Sequence, residues 1–229
     1  MISTGVRMRG FTLLAALAVA ACSSSPHGVQ STPPVPSRLS QPISVTPSNI
    51  VRMRGEFPPG FEVTDIQGEV SPAKSWGLKP GWTSDPRQCA ALADPAAGGA
   101  SAPEGLSGSG TAGIIYVVMT ASPSAAGPDP GVVKACNHWS IDSGRTTVVV
   151  DRFAAPAVDG APTIGMIAAI RTIVEGGNET DVRASTVTAY LGEYVAFVTV
   201  VTDPGAEQSQ FPPDLATTFL TKAVAALRG

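Results

Sequence analysis

Apolar and polar residues alternate most cleanly towards the C-terminal end of the chain. Residues 181–192 (DVRASTVTAYLG) and 193–203 (EYVAFVTVVTD) place β-branched and aromatic residues at nearly every second position on either side of Gly192-Glu193. That period of two, broken by a glycine, predicts a hairpin. The period then changes. In PPDLATTFLTKAVAALRG (212–229), Leu215, Phe219, Leu220, Ala223 and Leu227 fall on one face of an amphipathic helix. Further upstream, AGIIYVVMT (112–120) and RTTVVVDRF (145–153) read as apolar strands, with VVKACNHW (132–139) leading to the Ser143-Gly144 turn between them. IGMIAAIRTIVEGG (164–177) fits both periods, and its ending favours a strand that runs into the Gly176-Gly177-Asn178 turn.

The first third is weaker in pattern. In PSNIVRMRGEF (47–57), Ser48 or Asn49 is placed to cap a short helix with Ile50 and Met53 on one face and Gly55 at its stop. After the turn Pro58-Pro59-Gly60, Phe61, Val63 and Ile66 predict a first strand. SPAKSWGLKPGWTSDP (71–86) reads as a loop carrying two tryptophans, and DPRQCAALADP (85–95) as a short helix stopped before Pro95. Residues 98–110, rich in Gly, Ala and Ser, are expected to be mobile. The sum is an α+β domain: a mainly antiparallel sheet with helices packed on one face and a C-terminal amphipathic helix. Strands parted only by turns leave no room for βαβ crossovers, which excludes a Rossmann-type sheet.

The start of the chain has a different character. Arg7 and Arg9 precede a short apolar run that ends on small residues and Cys22, the layout of a secretory signal over residues 1–21. The run is about half the ~20 residues that span a bilayer. Val19-Ala20-Ala21-Cys22 resembles the lipobox of bacterial lipoproteins, in which the cysteine is acylated and becomes the new N-terminus. The resemblance implies that Cys22 holds the protein to the membrane on its extracytoplasmic face. Residues 22–46, dominated by Ser, Thr and Pro, cannot bury enough apolar area to order themselves and read as an extended tether. The domain proper is 47–229, long enough for one core.

Charge narrows the partners. The chain has 15 Lys and Arg against 18 Asp and Glu, and removal of 1–21 takes Arg7 and Arg9, leaving 13 − 18 = −5. No basic cluster survives in the mature chain, which argues against nucleic acid as a partner.

If lipid consumes Cys22, Cys89 and Cys136 remain as an even pair in an oxidising compartment, and a structural disulfide is expected. A redox-active pair would call for C-x-x-C, and a metal site for more histidine than His138. No Walker loop, H-E-x-x-H, EF-hand loop or G-x-S-x-G elbow occurs. No cofactor and no metal are expected. Asp151 and Asp159 read as solvated turn acids rather than a glycosidase pair. The densest cluster is CNHWSIDSG (136–144). His138 and Trp139 there can line a ligand cleft with Trp76 and Trp82; alternatively, Trp139 packs on the disulfide while Trp76 and Trp82 pin their loop to the core. NET at 178–180 matches a glycosylation sequon and equally a hairpin turn.

FPPGFEV, WGLKPGWTSDPRQCAALADP, CNHW and TAYLGEYVAFVTVVTDPG together span most of the domain. On these stretches the chain resembles a mycobacterial lipoprotein family of uncharacterised function. More loosely, it is similar to the extracellular sensor domain of a mycobacterial serine/threonine kinase. That likeness implies an α+β domain with a central antiparallel sheet, cysteine bridges and a ligand cleft. The sensor domain has two disulfides where this domain can form one, so no binding residues are carried over.

Two functions follow from these readings. The first is a non-enzymatic, lipid-anchored envelope protein that binds a small molecule, a glycan or another envelope protein. The alternative is an envelope hydrolase or transferase using carboxylates and His138.

Overall fold

A computed structural model describes residues 44–99, 102–123, 127–204 and 211–229. The leader, Cys22 and the tether up to residue 43 lie outside the described residues.

Nine strands form one sheet: β1 (Glu62–Asp65), β2 (Thr83–Asp85), β3 (Glu104–Gly110), β4 (Gly113–Ala121), β5 (His138–Ser143), β6 (Thr146–Phe153), β7 (Thr163–Ile173), β8 (Glu179–Leu191) and β9 (Tyr194–Thr202). Their order is β1-β3-β4-β9-β8-β7-β6-β5-β2, and every neighbouring pair is antiparallel. The run β5 to β9 is a meander of hairpins. Its last turn is the two-residue loop Gly192-Glu193 between paired Leu191 and Tyr194, with Gly192 at φ +68°. The α+β class, the antiparallel sheet, the C-terminal helix and the Cys89–Cys136 disulfide are as expected from the sequence.

The helices are a 3-10 helix Pro47–Glu56, α1 (Pro72–Ser75), a 3-10 turn Arg87–Cys89 running into α2 (Ala90–Ala93), α3 (Pro130–Ala135) and α4 (Leu215–Arg228). Strand alternation shows how they divide. On β8, Val187, Ala189 and Leu191 join the cluster under α4 and the first 3-10 helix, whereas Ala184 and Tyr190 join a second cluster containing Trp76, Leu92 and the disulfide. Because successive side chains point to opposite faces, the two clusters lie on opposite sides of the sheet. α4 and the 3-10 helix cover one face, and the short helices α1 and α2 sit over the other. Burial from both sides leaves β7 with apolar residues at consecutive positions, which is why residues 164–177 fit two periods.

Four local expectations are corrected. Residues 104–110 are not a mobile loop but strand β3, paired on both edges with β1 and β4. Its glycines are there for space: a Cβ on Gly108 would stand 2.3 Å from the Phe57 ring, and one on Gly110 2.7 Å from the Phe61 ring. The two-tryptophan loop holds α1 and the edge strand β2. VVKACNHW begins in helix: Asp129 caps α3 by accepting from the Gly131 and Val132 N–H groups, and Cys136 follows its last turn. At the start, Ile50 and Met53 are buried as read, but the helix is 3-10 and preceded by Thr46, which makes no side-chain cap.

Candidate functional site

The described residues enclose an open cleft of about 580 Å³. It lies between the α1–β2 segment and the loop after α2, with Thr120 of β4 at its base. By alternation with Met119, which packs under α4, Thr120 belongs to the face covered by α1 and α2.

One wall is built from α1 onward. Ser71 Oγ accepts the Lys74 N–H at 3.2 Å and Pro72 opens the helix, so even this single turn is capped. Trp76 closes it. Its indole Nε1 donates to Thr186 Oγ1 at 3.0 Å, which in turn bonds Thr199 Oγ1 at 3.0 Å, pinning α1 to the middle of the sheet. The chain reverses at Gly77 (φ +82°), buries Leu78, and the Lys79 N–H donates to Ser143 Oγ at 3.2 Å. Lys79-Pro80-Gly81-Trp82 then has proline and a positive-φ glycine (Gly81, φ +90°) at its centre, the composition of a type II turn. Trp82 leads directly into β2, which pairs with β5.

The opposite wall is the loop 94–99. The Ala97 N–H donates to Asp94 C=O at 3.2 Å and the Gly99 N–H to Ala96 C=O at 2.8 Å. Ser122 Oγ donates to Pro95 C=O at 2.8 Å, tying the loop to the end of β4. Behind it the disulfide joins Cys89, next to α2, to Cys136, next to α3. Both walls are therefore anchored to the sheet by hydrogen bonds or covalent linkage.

The cleft mixes charge with apolar surface. Lys74 Nζ stands 3.6 Å from Glu69 Oε2. The Asp94 carboxyl is held above its ordinary range, first by burial and then by the charge of Glu69, against the opposing pull of the Ala96 N–H and Lys74. Lys79 makes no ion pair within 4 Å among the described residues. Leu78, Pro80 and Trp82 supply the apolar wall.

Of the four residues read as a ligand cleft, Trp82 lines this one. Trp76 and Trp139 are 3% and 2% exposed and pack in the cluster that holds the disulfide. His138 alternates with Trp139 and so emerges on the other face, where its Nδ1 meets Asp151 Oδ1 at 2.6 Å across the β5–β6 pair. Both side chains are about two-thirds exposed (67% and 62%). The structure thus brings Trp82 together with Lys74, Lys79, Glu69 and Asp94, none of which sequence reasoning singled out. One signal was present: Lys79-Pro80-Gly81-Trp82 is a turn tetrapeptide with a cation at one end and an aromatic ring at the other. Among the described residues no group of three or more His, Cys, Asp or Glu converges as metal ligands, and no helix is long and apolar enough to cross a membrane.

These features define a class, an α+β domain of one antiparallel sheet with a single disulfide and a cleft on the face carrying its shortest helices. Over residues 46–228 the chain matches the family described as a domain of unknown function (DUF5642), and it belongs to that family. No curated protein matches the sequence. Its fold is similar to the crystal structure of an uncharacterised protein of Mycobacterium smegmatis, the Rv0999 ortholog. The TM-score is 0.58 at 19% identity, covering 81% of this chain and 98% of that one. It also matches the extracellular domain of PknH from Mycobacterium tuberculosis at a TM-score of 0.45 and 14% identity, over 81% of this chain and 92% of that one.

Proposed function

We propose that this is a lipid-anchored protein of the cell envelope, attached through Cys22, whose domain binds a small ligand in the cleft without chemically changing it. The observation that carries the reading is the construction of the cleft. Its walls are fixed by the Trp76–Thr186 bond, the Ser122–Pro95 bond and the disulfide. It sets charged groups and an indole against apolar surface, within the volume range of sites for small molecules. A rigid, pre-formed site loses little entropy on binding. The leader sequence supports the anchor.

Thermal shift against fractionated envelope extracts tests the binding reading. A ligand that binds only the folded state raises Tm in proportion to the logarithm of its concentration over Kd. At least one fraction is expected to raise the Tm of the wild type and not of Trp82→Ala. Equal shifts in both proteins would remove the cleft from the account.

One observation favours a second reading, a hydrolase or transferase. Glu69 and Asp94 share the cleft, and Asp94 holds its proton more tightly than an ordinary carboxyl, as a general acid must. His138 lies on the far face, so this chemistry would rest on the two carboxylates. Conversion of the bound ligand by the wild type, lost in Asp94→Asn with binding retained, would establish the enzyme in place of the binder.

A further inference from the structure

The two charged ends of the cleft are not equivalent. Lys74 is committed to Glu69 at 3.6 Å. The Asp94 carboxyl is pushed up by Glu69 and pulled down by Lys74, so Glu69, Lys74 and Asp94 form one electrostatic group. Lys79 has no carboxylate within 4 Å among the described residues, although it lines the same cavity. Its position is fixed twice over. The backbone N–H is held by Ser143 Oγ, and the Pro80-Gly81 turn places its Cα within about 7 Å of that of Trp82. Trp82 and the buried Leu78 provide a flat apolar wall at that same end.

From this juxtaposition we infer that the cleft selects a compact anion carrying a flat apolar body, with the anionic group on the Lys79 ammonium and the body against the Trp82 indole. The inference rests on the binding reading above and names the chemistry of its ligand. An ammonium without a counter-ion, beside low-dielectric surface, gains more from an incoming carboxylate or phosphate than one already paired. An indole held at the end of a tight turn presents its face without further ordering cost. A neutral ligand of the same shape would satisfy Trp82 and leave Lys79 as it is.

The test uses a matched pair of probes, 1-naphthaleneacetate and its neutral analogue 1-naphthaleneacetamide. They are titrated into the isotope-labelled mature protein and followed by amide chemical shifts. The wild type is expected to bind the acid about tenfold more tightly than the amide, with shifts centred on residues 78–82. Lys79→Gln should bring the acid down to the affinity of the amide, Lys79→Arg should restore the preference, and Trp82→Ala should weaken both probes. Lys79 is exposed, so its variants test the contact without threatening the fold. Equal affinity for acid and amide in the wild type, or a preference that survives in Lys79→Gln, overturns the anion assignment and leaves cleft binding standing. No shifts in the cleft with either probe overturns the assignment and counts against the cleft reading beneath it.

Discussion

Gly113 and Gly108 both lie in strands that meet bulky neighbours, and the neighbours differ in kind. A Cβ on Gly113 would stand 2.0 Å from the Val201 carbonyl oxygen, and its φ of +135° is one that L side chains rarely adopt. The three atoms nearest a Cβ on Gly108 all belong to the Phe57 ring, a side chain of the α4 cluster. Gly113→Ala must move backbone that pairs β4 with β9, and roughly 3 kcal/mol or more of stability should be lost. Gly108→Ala should cost about 1–3 kcal/mol, because a ring can shift. Chemical denaturation of the two variants checks the order; a larger loss for Gly108→Ala would contradict it. The glycines were visible in the sequence, but their reading as mobility was not what they do. A glycine that admits a ring from 51 residues away (Phe57 to Gly108) cannot be told from a flexible one without the partner.

Asp94 gives a pH dependence. Its carboxyl is raised from 3.8 in the folded protein, chiefly by burial. As pH climbs past 3.8, the unfolded chain therefore releases this proton before the folded one does. The stability Asp94 contributes is fully present below 3.8 and is lost as pH rises through the raised folded value. Asp94→Asn removes the ionisation and keeps an acceptor for the Ala96 N–H. It should melt above the wild type at pH 7 and lose that advantage below pH 4. Melting curves at the two pH values check this, and an advantage independent of pH would show that burial of the charge is not the cause.

At the scale of elements, long strands were legible and short pieces were not. β8, β9 and α4 each repeat a period often enough to declare themselves, β7 fits two periods and was read from its ending, and the Gly192-Glu193 turn lies where the pattern put it. α1, β2 and α3 are three to six residues long and owe their form to partners elsewhere: Trp76 to Thr186, β2 to β5, and α3 to Cys136 and the disulfide. No window of sequence holds both halves of such a contact. The disulfide is the link that most concerns the cleft, since it fixes α2 and hence the loop 94–99. It closes 47 residue steps, worth about 4 kcal/mol in the chain-entropy account. Replacing both cysteines with serine should lower Tm by on the order of 10 °C. A change of a degree or two would mean that sheet packing alone orders that region.

At the scale of the whole molecule, the pairing of Cys89 with Cys136 was readable because cysteine parity is an arithmetic property. The cleft was half readable. Trp82 belongs to it, while Trp76 and Trp139 are committed to the core and His138 faces away, because strand alternation sends neighbours in CNHW to opposite faces. The charged residues that give the cleft its character come from two segments, 69–79 and the loop that begins at Asp94, which only the fold brings together. The anchor makes its own prediction. Cys22→Ala should move the protein from the membrane fraction to the soluble one, and continued dependence on detergent would refute lipid attachment.

The central claim is that the cleft holds a ligand in the native envelope, and untargeted mass spectrometry of small molecules co-purifying with the mature protein addresses it most directly. Wild type and Trp82→Ala are isolated side by side from native membranes. The account predicts at least one species enriched with the wild type and depleted from Trp82→Ala; equal recovery from both proteins, or no enrichment from either, would contradict it.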